Sequence, residues 1–381
     1  MVTEVAFFAH DALDAAVQRR IVSFKAAGAN VLGFTMRRGS AVDTPWENID
    51  LGLTQDAAFV QRLAAMLRAI PALVKHRARL AAADVIYARN LDMLLLAQLA
   101  KWLAGARANL VYECLDVHRF LPRQNLLGAT LRAVEGALLK RTSRVVVSSP
   151  AFCREHLELR YPGRFRAVLV ENRMPEGFDY GPRPDPQAAA PEGSVLRIGW
   201  FGNLRCRRSL QLLLNTAQQF PDRVRIILRG APTSADLPDF HDRIAGRTNV
   251  DYGGRYKWPD DLAELYSSVD LVWAGDFHDP GANSAWLLPN RLYEGGYYGV
   301  PAIAPKDCEA GRWIEDRGFG FVVAEPLEEA LPGFLGGVGW DAVRSARHRL
   351  LTAATDKFIQ PLDGLKDLLA ATLEPSLASD R

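Results

Sequence analysis

The sequence has 381 residues, which is more than the roughly 250–300 residues at which one hydrophobic core stops growing, so we expect two domains. Hydrophobic residues make up 49% of the chain and charged residues 24%. These ordinary values exclude a disordered or fibrous protein. The N-terminal region lacks the basic segment and apolar run of a signal peptide, and no run of about 18 apolar residues is present. The four cysteines are scattered, as is typical of reduced thiols, and we expect a cytoplasmic protein.

The charge is distributed unevenly along the chain, although the net charge is only +2. Residues 1–170 carry 23 Lys and Arg against 14 Asp and Glu, a net +9, and the remaining residues carry 23 against 30, a net −7. A basic first half favours an anionic partner such as a membrane surface or a lipid diphosphate, although uneven surface composition is the simpler explanation. No nucleic-acid-binding motif with interleaved aromatic residues is present, so a nucleic-acid partner is disfavoured.

The first half of the sequence alternates short β-branched runs with longer helical patterns, which indicates βαβ units and a parallel sheet. The predicted strands are 2–9, 30–35, 84–87, 109–113, 144–148 and 167–170. The predicted helices are 11–27, 56–83, 91–103, 126–140 and 151–157. Because proline removes a helix hydrogen bond, we expect Pro71 to kink or split the second helix.

The segment 171–194 interrupts this alternation with five prolines and three glycines, which is typical of an interdomain linker. The alternation then resumes, with predicted strands 195–200, 223–228, 250–252, 270–273, 301–304 and 320–323 and helices 209–220, 259–268 and 290–298. We therefore predict an α/β protein with two Rossmann-like, doubly wound domains. The domains are 1–172 and 195–340, with a linker at 173–194 and C-terminal helices at 341–381, for which crossing back to the first domain is one option. Ligands of such sheets bind beyond the carboxyl ends of the strands, so we place the chemistry in the cleft between the domains.

The first motif of the second half, at 197–210, contains two glycines after a predicted strand and a helix that opens near Ser209. Glycine lets a ligand approach the backbone, and a helix N-terminus offers N–H groups to an anion. Arg205, Arg207 and Arg208 add guanidinium groups at the same place. This pattern favours a diphosphate site, with a solvated basic loop as the alternative. It is not the G-x-G-x-x-G fingerprint of a hydride-transfer cofactor.

The second motif, at 283–303, places Pro289 and Asn290 where we expect them to cap a helix. Glu294 follows one turn later on the same helix face. A carboxylate one turn away from a phosphate site suits the two hydroxyls of a ribose. A single helical glutamate is usually a surface residue, but the cap, the two glycines and the following strand favour a binding role here.

With these two motifs the chain resembles the GT-B glycosyltransferases of family 4, particularly the bacterial ones of exopolysaccharide and cell-surface polysaccharide assembly. The resemblance implies transfer of a sugar from a nucleotide diphosphate sugar, UDP- or GDP-linked, to a saccharide or a polyprenyl-diphosphate-linked acceptor. Gly202, either Arg205 or Arg208, and Glu294 match the family's donor-binding positions. The full set of donor-side candidates is Gly202, Asn203, Arg205, Arg208, Arg229, Pro289, Asn290, Arg291 and Glu294.

One departure from the family concerns its two glutamates separated by seven residues. The second matches Glu294, but the first position holds Trp286. Since the first glutamate usually contacts the sugar in the family, the resemblance does not define the sugar or the stereochemical outcome of transfer.

Polar residues at the predicted strand ends of the first half are candidates for the acceptor side. The resemblance places such residues near the transferred sugar, and we assign Asp116 and His118, with Glu294, to the catalytic set. The other acceptor-side candidates are His10, Asp11, Arg89, Asn90 and Ser149.

No D-x-D motif and no Cys/His cluster is present, so we expect no essential metal and no cofactor. The helix at 62–79 carries five basic residues among apolar ones, which suits a peripheral stay on the inner face of the cell membrane; an ordinary helix that covers the sheet is the alternative. Two other functions remain open, namely a nucleotide-sugar 2-epimerase of the same fold and a non-catalytic nucleotide-sugar-binding subunit.

Overall fold

The computed structural model describes residues 2–40, 43–54, 59–117, 121, 124–187, 193–279, 281 and 283–374. The chain divides into two compact units. Unit 1 comprises Met1–Glu171 and Pro361–Arg381, and unit 2 comprises Asn172–Gln360. In the sequence, unit 2 is therefore inserted between two parts of unit 1.

Unit 1 is built on a seven-stranded parallel sheet in the order β3-β2-β1-β4-β5-β6-β7. Its strands are β1 Glu4–Ala9, β2 Asn30–Arg37, β3 Asn48–Leu53, β4 Val85–Arg89, β5 Asn109–Cys114, β6 Thr142–Val147 and β7 Ala167–Leu169. Its helices are α1 Ala15–Ala26, α2 Phe59–Lys75, α3 Arg77–Ala81, α4 Asn90–Ala104, α5 Leu126–Leu139, α6 Pro150–Phe152, α7 Glu158–Arg160 and α16 Leu362–Thr372, with a π-helical turn at Cys153–Leu157.

The core of unit 1 contains stacked aromatic rings from neighbouring strands. Phe7 of β1 and Tyr87 of β4 stack at 5.2 Å between ring centroids, and Phe24 of α1 meets Tyr87 edge-on at 5.0 Å. These strands are buried on both faces, which explains their nearly continuous apolar sequences. Helix α16 completes this core with three buried leucines, namely Leu365, Leu368 and Leu369.

Unit 2 is built on a six-stranded parallel sheet in the order β11-β10-β9-β12-β13-β14, the doubly wound order in which the first strand lies next to the fourth. Its strands are β8 Met174–Pro175, β9 Leu196–Leu204, β10 Val224–Pro232, β11 Val250–Tyr252, β12 Leu271–Trp273, β13 Ala302–Pro305, β14 Gly320–Val323 and β15 Ile359–Gln360. Its helices are α8 Arg207–Gln219, α9 Phe240–Ile244, α10 Leu262–Ser267, α11 Asn283–Trp286, α12 Arg291–Tyr297, α13 Glu309–Arg317, α14 Leu327–Gly337 and α15 Trp340–Thr352, with a 3-10 turn at Thr355–Lys357.

The segment that the composition marks as a linker packs, in its described part, within unit 2. Strand β8 pairs with β15, and the hydroxyl of Tyr180 donates to the carbonyl of Pro175 at 2.7 Å. Met174 and Tyr180 are buried in the core of unit 2. The prolines and glycines of this segment therefore shape ordered turns that carry buried side chains, and composition does not distinguish such turns from a free linker.

The C-terminal segment is shared between the two units. Helix α15 belongs to unit 2, and α16 belongs to unit 1.

Two elements of unit 1 differ from the sequence-based prediction. Helix α2 runs through Pro71 and ends at Lys75, because Pro71 is exposed and water can solvate the carbonyl that its ring leaves unbonded. Strand β3 was missed by the sequence analysis, although Ile49, Leu51 and Leu53 alternate along it with polar residues and glycine, which is the pattern of a half-buried strand.

Strand β9 extends to Leu204, four residues beyond its predicted end, because two glycines allow a close approach to β10. Gly202 lies opposite Gly230 in the pairing of the two strands. Gly230 has a φ of +132°, and a Cβ atom on it would overlap the carbonyl oxygen of Gly202. Both the backbone conformation and the lack of space therefore require glycine at this position.

We expect Gly230→Ala to destabilise the protein by about 2 kcal/mol or more beyond the effect of Gly246→Ala. Gly246 also has a positive φ, +73°, but a Cβ atom there would have no neighbour within 4 Å, so it controls for backbone strain alone. Urea denaturation of both variants measures the difference. Equal unfolding midpoints would show that the close approach of the two strands is not a constraint.

Candidate functional site

In unit 2, the turn after β9 brings Arg205 next to a carboxylate that the sequence analysis missed. Nη2 of Arg205 lies 3.3 Å from Oδ2 of Asp276, in the segment that follows β12. The hydroxyl of Ser284 donates to Oδ1 of Asp276 at 3.1 Å. Burial acts to raise the pKa of Asp276, but Arg205 opposes it and the pKa is lowered overall, so the pair is charged at neutral pH. Arg205 is 38% exposed, which leaves part of its guanidinium open to a ligand.

Arg291, the first residue of α12, lies beside the same strand end. Its Nη1 donates to the carbonyl of Phe201 at 2.7 Å, and a Cβ atom on Gly202 would lie 4.0 Å from this nitrogen. Its Nε is buried without a hydrogen-bond partner, and in the described parts of the chain no carboxylate lies within ion-pair distance. Burial lowers the pKa of Arg291, and Asp276 opposes this effect. A half-buried guanidinium that forms no ion pair with the described residues is a candidate anion-binding group.

Glu294 lies on the buried side of α12 and is 4% exposed. Its Oε2 accepts a hydrogen bond from the hydroxyl of Tyr266, in α10, at 3.0 Å. Burial, and then the charge of Glu294, raise the pKa of Tyr266 well above its usual value, so the phenol remains a donor at neutral pH. Tyr266 therefore fixes the orientation of the Glu294 carboxylate. The sequence analysis missed Tyr266, because a tyrosine inside a helix carries no signal of its partner.

The predicted cap at Pro289 and Asn290 was wrong. Asn290 has helical dihedral angles, φ −53° and ψ −33°, and its side chain makes no capping hydrogen bond. The amides of Leu292 and Tyr293 already donate to the carbonyls of Pro289 and Asn290. The first turn therefore does not offer the expected row of backbone donors, and the positive charge at this end of α12 comes from the Arg291 side chain.

The remaining donor-side candidates differ in the contacts and the exposure of their side chains. Arg208 forms ion pairs with Glu325 at 2.8 Å and with Glu328 at 2.9 Å, so its guanidinium is held by two carboxylates. Within the described residues, Arg229 makes two long hydrogen bonds, 3.4 Å to the carbonyl of Gly254 and 3.5 Å to that of Arg255. Asn203 is exposed, and Trp286 is the last residue of the short helix α11. Of the two arginines that match the family position, Arg205 is the one with a weaker carboxylate contact.

In unit 1, the carboxyl ends of β4 and β5 carry a buried charge cluster. Nε of Arg89 lies 2.7 Å from Oε2 of Glu113, and Arg20 of α1 binds Oε1 of the same carboxylate at 2.9 Å. Glu113 is fully buried, and Arg89 is 1% exposed. Burial acts to raise the pKa of Asp14, but Arg89 opposes this effect and the pKa is lowered overall, so Asp14 adds a second negative charge beside Arg89. The two arginines are therefore accompanied by two carboxylates, and the covered Arg89 links β4 to its neighbours.

His10 and Asn90 are the acceptor-side candidates with unused polar atoms. Nδ1 of His10 and Oδ1 of Asn90 are buried without a hydrogen-bond partner among the described residues. Asn90 also has a φ of +68°, the left-handed conformation, at the start of α4. Burial lowers the pKa of His10, and Asp14 and Asp92 oppose this effect. Strand ends with unsatisfied polar groups are typical of ligand sites.

The structure gives the other acceptor-side candidates different surroundings. Asp11 accepts from the amide of Leu13 at 3.0 Å, and Ser149 is a fully buried N-cap whose hydroxyl oxygen accepts from the amide of Ala151 at 3.3 Å. Ser149 therefore stabilises a helix start, which accounts for its place after a strand. Asp116 is exposed in the bend after β5, and His118 lies outside the described residues.

We expect the stability of the protein to fall as the pH drops from 7 to 5, partly because of His10. Its lowered pKa means that the unfolded chain takes up a proton near the usual value of 6.5 while the folded protein does not. His10→Gln should flatten the pH dependence of the urea midpoint over this range, and His348→Gln, an exposed residue of α15, is the control. Unchanged pH dependence in His10→Gln would show that His10 titrates normally.

Comparison with known proteins places the chain in a family. No protein-family model matches it. It is 38% identical over 353 residues to the succinoglycan biosynthesis protein ExoL of Rhizobium meliloti (strain 1021). The aligned region covers 91% of this chain and 87% of ExoL. Among solved structures, it is similar to Anabaena Alr3699/HepE in complex with UDP, with a TM-score of 0.69 at 16% identity over 97% of this chain and 99% of that one.

Another similar structure is WaaG, a glycosyltransferase involved in lipopolysaccharide biosynthesis, with a TM-score of 0.62 at 16% identity over 96% of this chain and 99% of that one. At these identities the structural likeness shows the fold, and the relation to ExoL shows the family. The predicted fold class and the predicted family resemblance are confirmed. The chain belongs to the ExoL family and is a bacterial exopolysaccharide glycosyltransferase with the GT-B fold.

Proposed function

We propose that unit 2 binds a UDP-linked sugar and that the enzyme transfers this sugar to a hydroxyl of a polyprenyl-diphosphate-linked saccharide during exopolysaccharide synthesis. The observation that carries the proposal is Arg291, a half-buried guanidinium without an ion-pair partner among the described residues, next to the open backbone of Gly202. The complexes of HepE with UDP and with UDP-glucose support the choice of nucleotide, and the role of ExoL in succinoglycan biosynthesis supports the choice of product.

In the proposed reaction, the bond between the anomeric carbon of the sugar and the oxygen of the β-phosphate breaks. A bond forms between that carbon and the acceptor hydroxyl oxygen, whose proton leaves with the solvent or the departing diphosphate. Negative charge develops on the diphosphate as it departs. Arg205 and Arg291, both at the end of β9, would stabilise this charge through charge-assisted hydrogen bonds.

Glu294 would accept hydrogen bonds from the ribose hydroxyls. Its Oε2 is already occupied by Tyr266, so the carboxylate is held in one orientation before the nucleotide arrives. A fixed acceptor loses less conformational entropy on binding than a mobile one. We further propose that transfer needs no essential metal ion, because the two arginines meet the diphosphate charge. Full activity in excess EDTA would support this, and activity restored only by added Mg²⁺ would contradict it.

We expect Arg205→Ala and Glu294→Ala each to weaken UDP binding at least tenfold, because each removes a hydrogen bond that involves a charged group. A thermal-shift titration with UDP, GDP and ADP measures affinity and base selectivity together. Saturation at 100 times the dissociation constant should stabilise the wild-type protein by about 2.7 kcal/mol.

Matched controls are available for both substitutions. Arg207→Ala removes the neighbouring arginine, which pairs with Asp239, and Glu264→Gln alters an exposed carboxylate on the same helix as Tyr266. Both should bind UDP as the wild type does. Wild-type affinity for UDP in Arg205→Ala and Glu294→Ala would contradict the proposed donor site. A thermal shift of the wild-type protein with GDP alone would show that the donor nucleotide is GDP and not UDP.

We also propose that unit 1 rests on the anionic inner surface of the cell membrane through the outer face of α2. Leu63, Leu67 and Val74 are 45%, 59% and 42% exposed at helical spacing, and Pro71 lies between them. Of the five basic residues noted in this region, Arg62 and Arg79 contact carboxylates. The other three are exposed and have no ion-pair partner among the described residues, namely Arg68, Lys75 and Arg77.

This combination of outward leucines and unpaired basic residues suits the interface of an anionic bilayer better than water. Trp102, at the end of α4, is 74% exposed, and tryptophan favours the level of the lipid headgroups. Within the described residues, no helix has the length and apolar composition needed to cross a bilayer.

We expect the double variant Leu63→Ser/Leu67→Ser to lose binding to vesicles that contain phosphatidylglycerol, because it removes the apolar contacts that would enter the interface. Sedimentation with vesicles measures the bound fraction. Leu159→Ser, which alters another exposed leucine of unit 1, is the control and should bind as the wild type does. Equal sedimentation of all three proteins would contradict the assignment to α2.

A further inference from the structure

A cavity of about 250 Å³ lies in unit 1, at the end of β2 and beside the loop that follows β1. Ala12 and Leu13 form one wall, immediately after His10 and Asp11. The rest of the lining comes from the end of β2, from β3, and from described residues of the connection between them, namely Ser40, Asp43, Thr44 and Trp46. The carboxyl ends of parallel strands are where ligands of such sheets bind. The cavity therefore lies at the ligand-binding edge of unit 1.

The cavity wall is mostly polar, and part of it is fixed by internal hydrogen bonds. Nε of Arg37 binds Oδ2 of Asp50 at 2.7 Å, and the hydroxyl of Thr35 donates to Oδ1 of Asn48 at 3.0 Å. The hydroxyl of Thr44 donates to the carbonyl of Trp46 at 2.7 Å. These contacts orient the wall in advance, so that little reorganisation is needed when a ligand binds.

Other polar groups of the same wall are unused. The carboxylate of Asp43, the hydroxyl of Ser40 and the side-chain nitrogen of Asn48 form no hydrogen bond with the part of the chain that the structure describes. Trp46 lines the cavity, is 5% exposed, and its indole N–H is buried without a partner there. The cavity thus offers one charged acceptor, one hydroxyl and one amide donor, whereas Trp46 is almost wholly packed in the core of unit 1.

This set of groups matches a sugar ring. A carboxylate accepts from hydroxyls, and an amide nitrogen and a hydroxyl donate to them. The volume is below the roughly 300–1,000 Å³ typical of sites for drug-sized ligands, so it suits one ring and not an oligosaccharide. Asp43 and Asp50 outnumber Arg37 among the charged groups of the wall, which favours a neutral sugar over a phosphate or an acidic sugar.

We propose that this cavity is a subsite for one neutral hexose of the acceptor saccharide, with Asp43 and Ser40 as its hydroxyl-binding groups. The proposal rests on the proposed function, since an acceptor saccharide exists only if the enzyme transfers a sugar to one. The donor-binding residues all belong to unit 2, whereas the cavity belongs to unit 1. The two assignments can therefore fail separately.

Saturation-transfer NMR on the full chain measures the binding of methyl β-D-glucoside and methyl β-D-galactoside. Glycerol is the polyol control. Wild-type protein should saturate at least one glycoside and not glycerol. Asp43→Asn and Ser40→Ala should each weaken glycoside binding, Asp43→Asn by about tenfold, because it removes a charged acceptor. Both residues are exposed, so neither change should affect folding.

Glu47→Gln is the matched control, because Glu47 is an exposed carboxylate next to Trp46 that pairs with Arg79 and does not line the cavity. It should bind the glycoside as the wild type does. UDP binding, measured on each variant, should be unchanged. Glycoside binding that survives in Asp43→Asn and Ser40→Ala, or wild-type protein that binds UDP but neither glycoside, would overturn the subsite. If the wild-type protein does not bind UDP, this result would instead contradict the proposed donor site.

Discussion

The backbones of β9 and β10 approach each other at Gly202 and Gly230 more closely than any side chain would allow. Beyond these two glycines, the strands remain paired up to Leu204 and Pro232. The turn into α8 consequently starts at Arg205, and the carbonyl of Phe201 is positioned to receive Arg291. The positions of the charged donor-side groups therefore depend on the close backbone approach of two glycines.

The arginines near this strand end show how charge compensation separates structural from ligand-binding roles. Arg208 is held by two carboxylates, and Arg205 shares a single contact with Asp276. Arg291 has a carbonyl partner but no carboxylate among the described residues. Leaving a guanidinium partly buried without an ion pair costs stability, and an anion that binds there would offset this cost.

The sequence predicted the alternating fold well because strands buried on both faces are written as apolar runs of recognisable length. It singled out Glu294 and Arg205 as donor-site candidates because glycines and a following strand mark their surroundings, and this assignment stays a prediction. It missed Asp276 and Tyr266, whose importance comes from partners 71 and 28 residues away. The cap at Asn290 failed for a local reason, since the residue type favours a cap but its backbone is already helical. Edge strand β3 is short and follows a polar connection, so the alternation of apolar residues along it was overlooked. The cavity beside it is lined by residues from separate segments, which no local pattern marks.

The membership of α16 in unit 1 has a consequence for synthesis of the protein. Three leucines of α16 belong to the core of unit 1, yet all of unit 2 precedes them in the chain. On the ribosome, the residues of unit 2 are therefore complete before the core of unit 1 can close. Since domains generally fold as units during synthesis, the second unit should reach its native packing first, while the earlier-made unit waits with an open apolar face. During synthesis, the N-terminal residues of unit 1 would thus be the part of the chain most prone to aggregation.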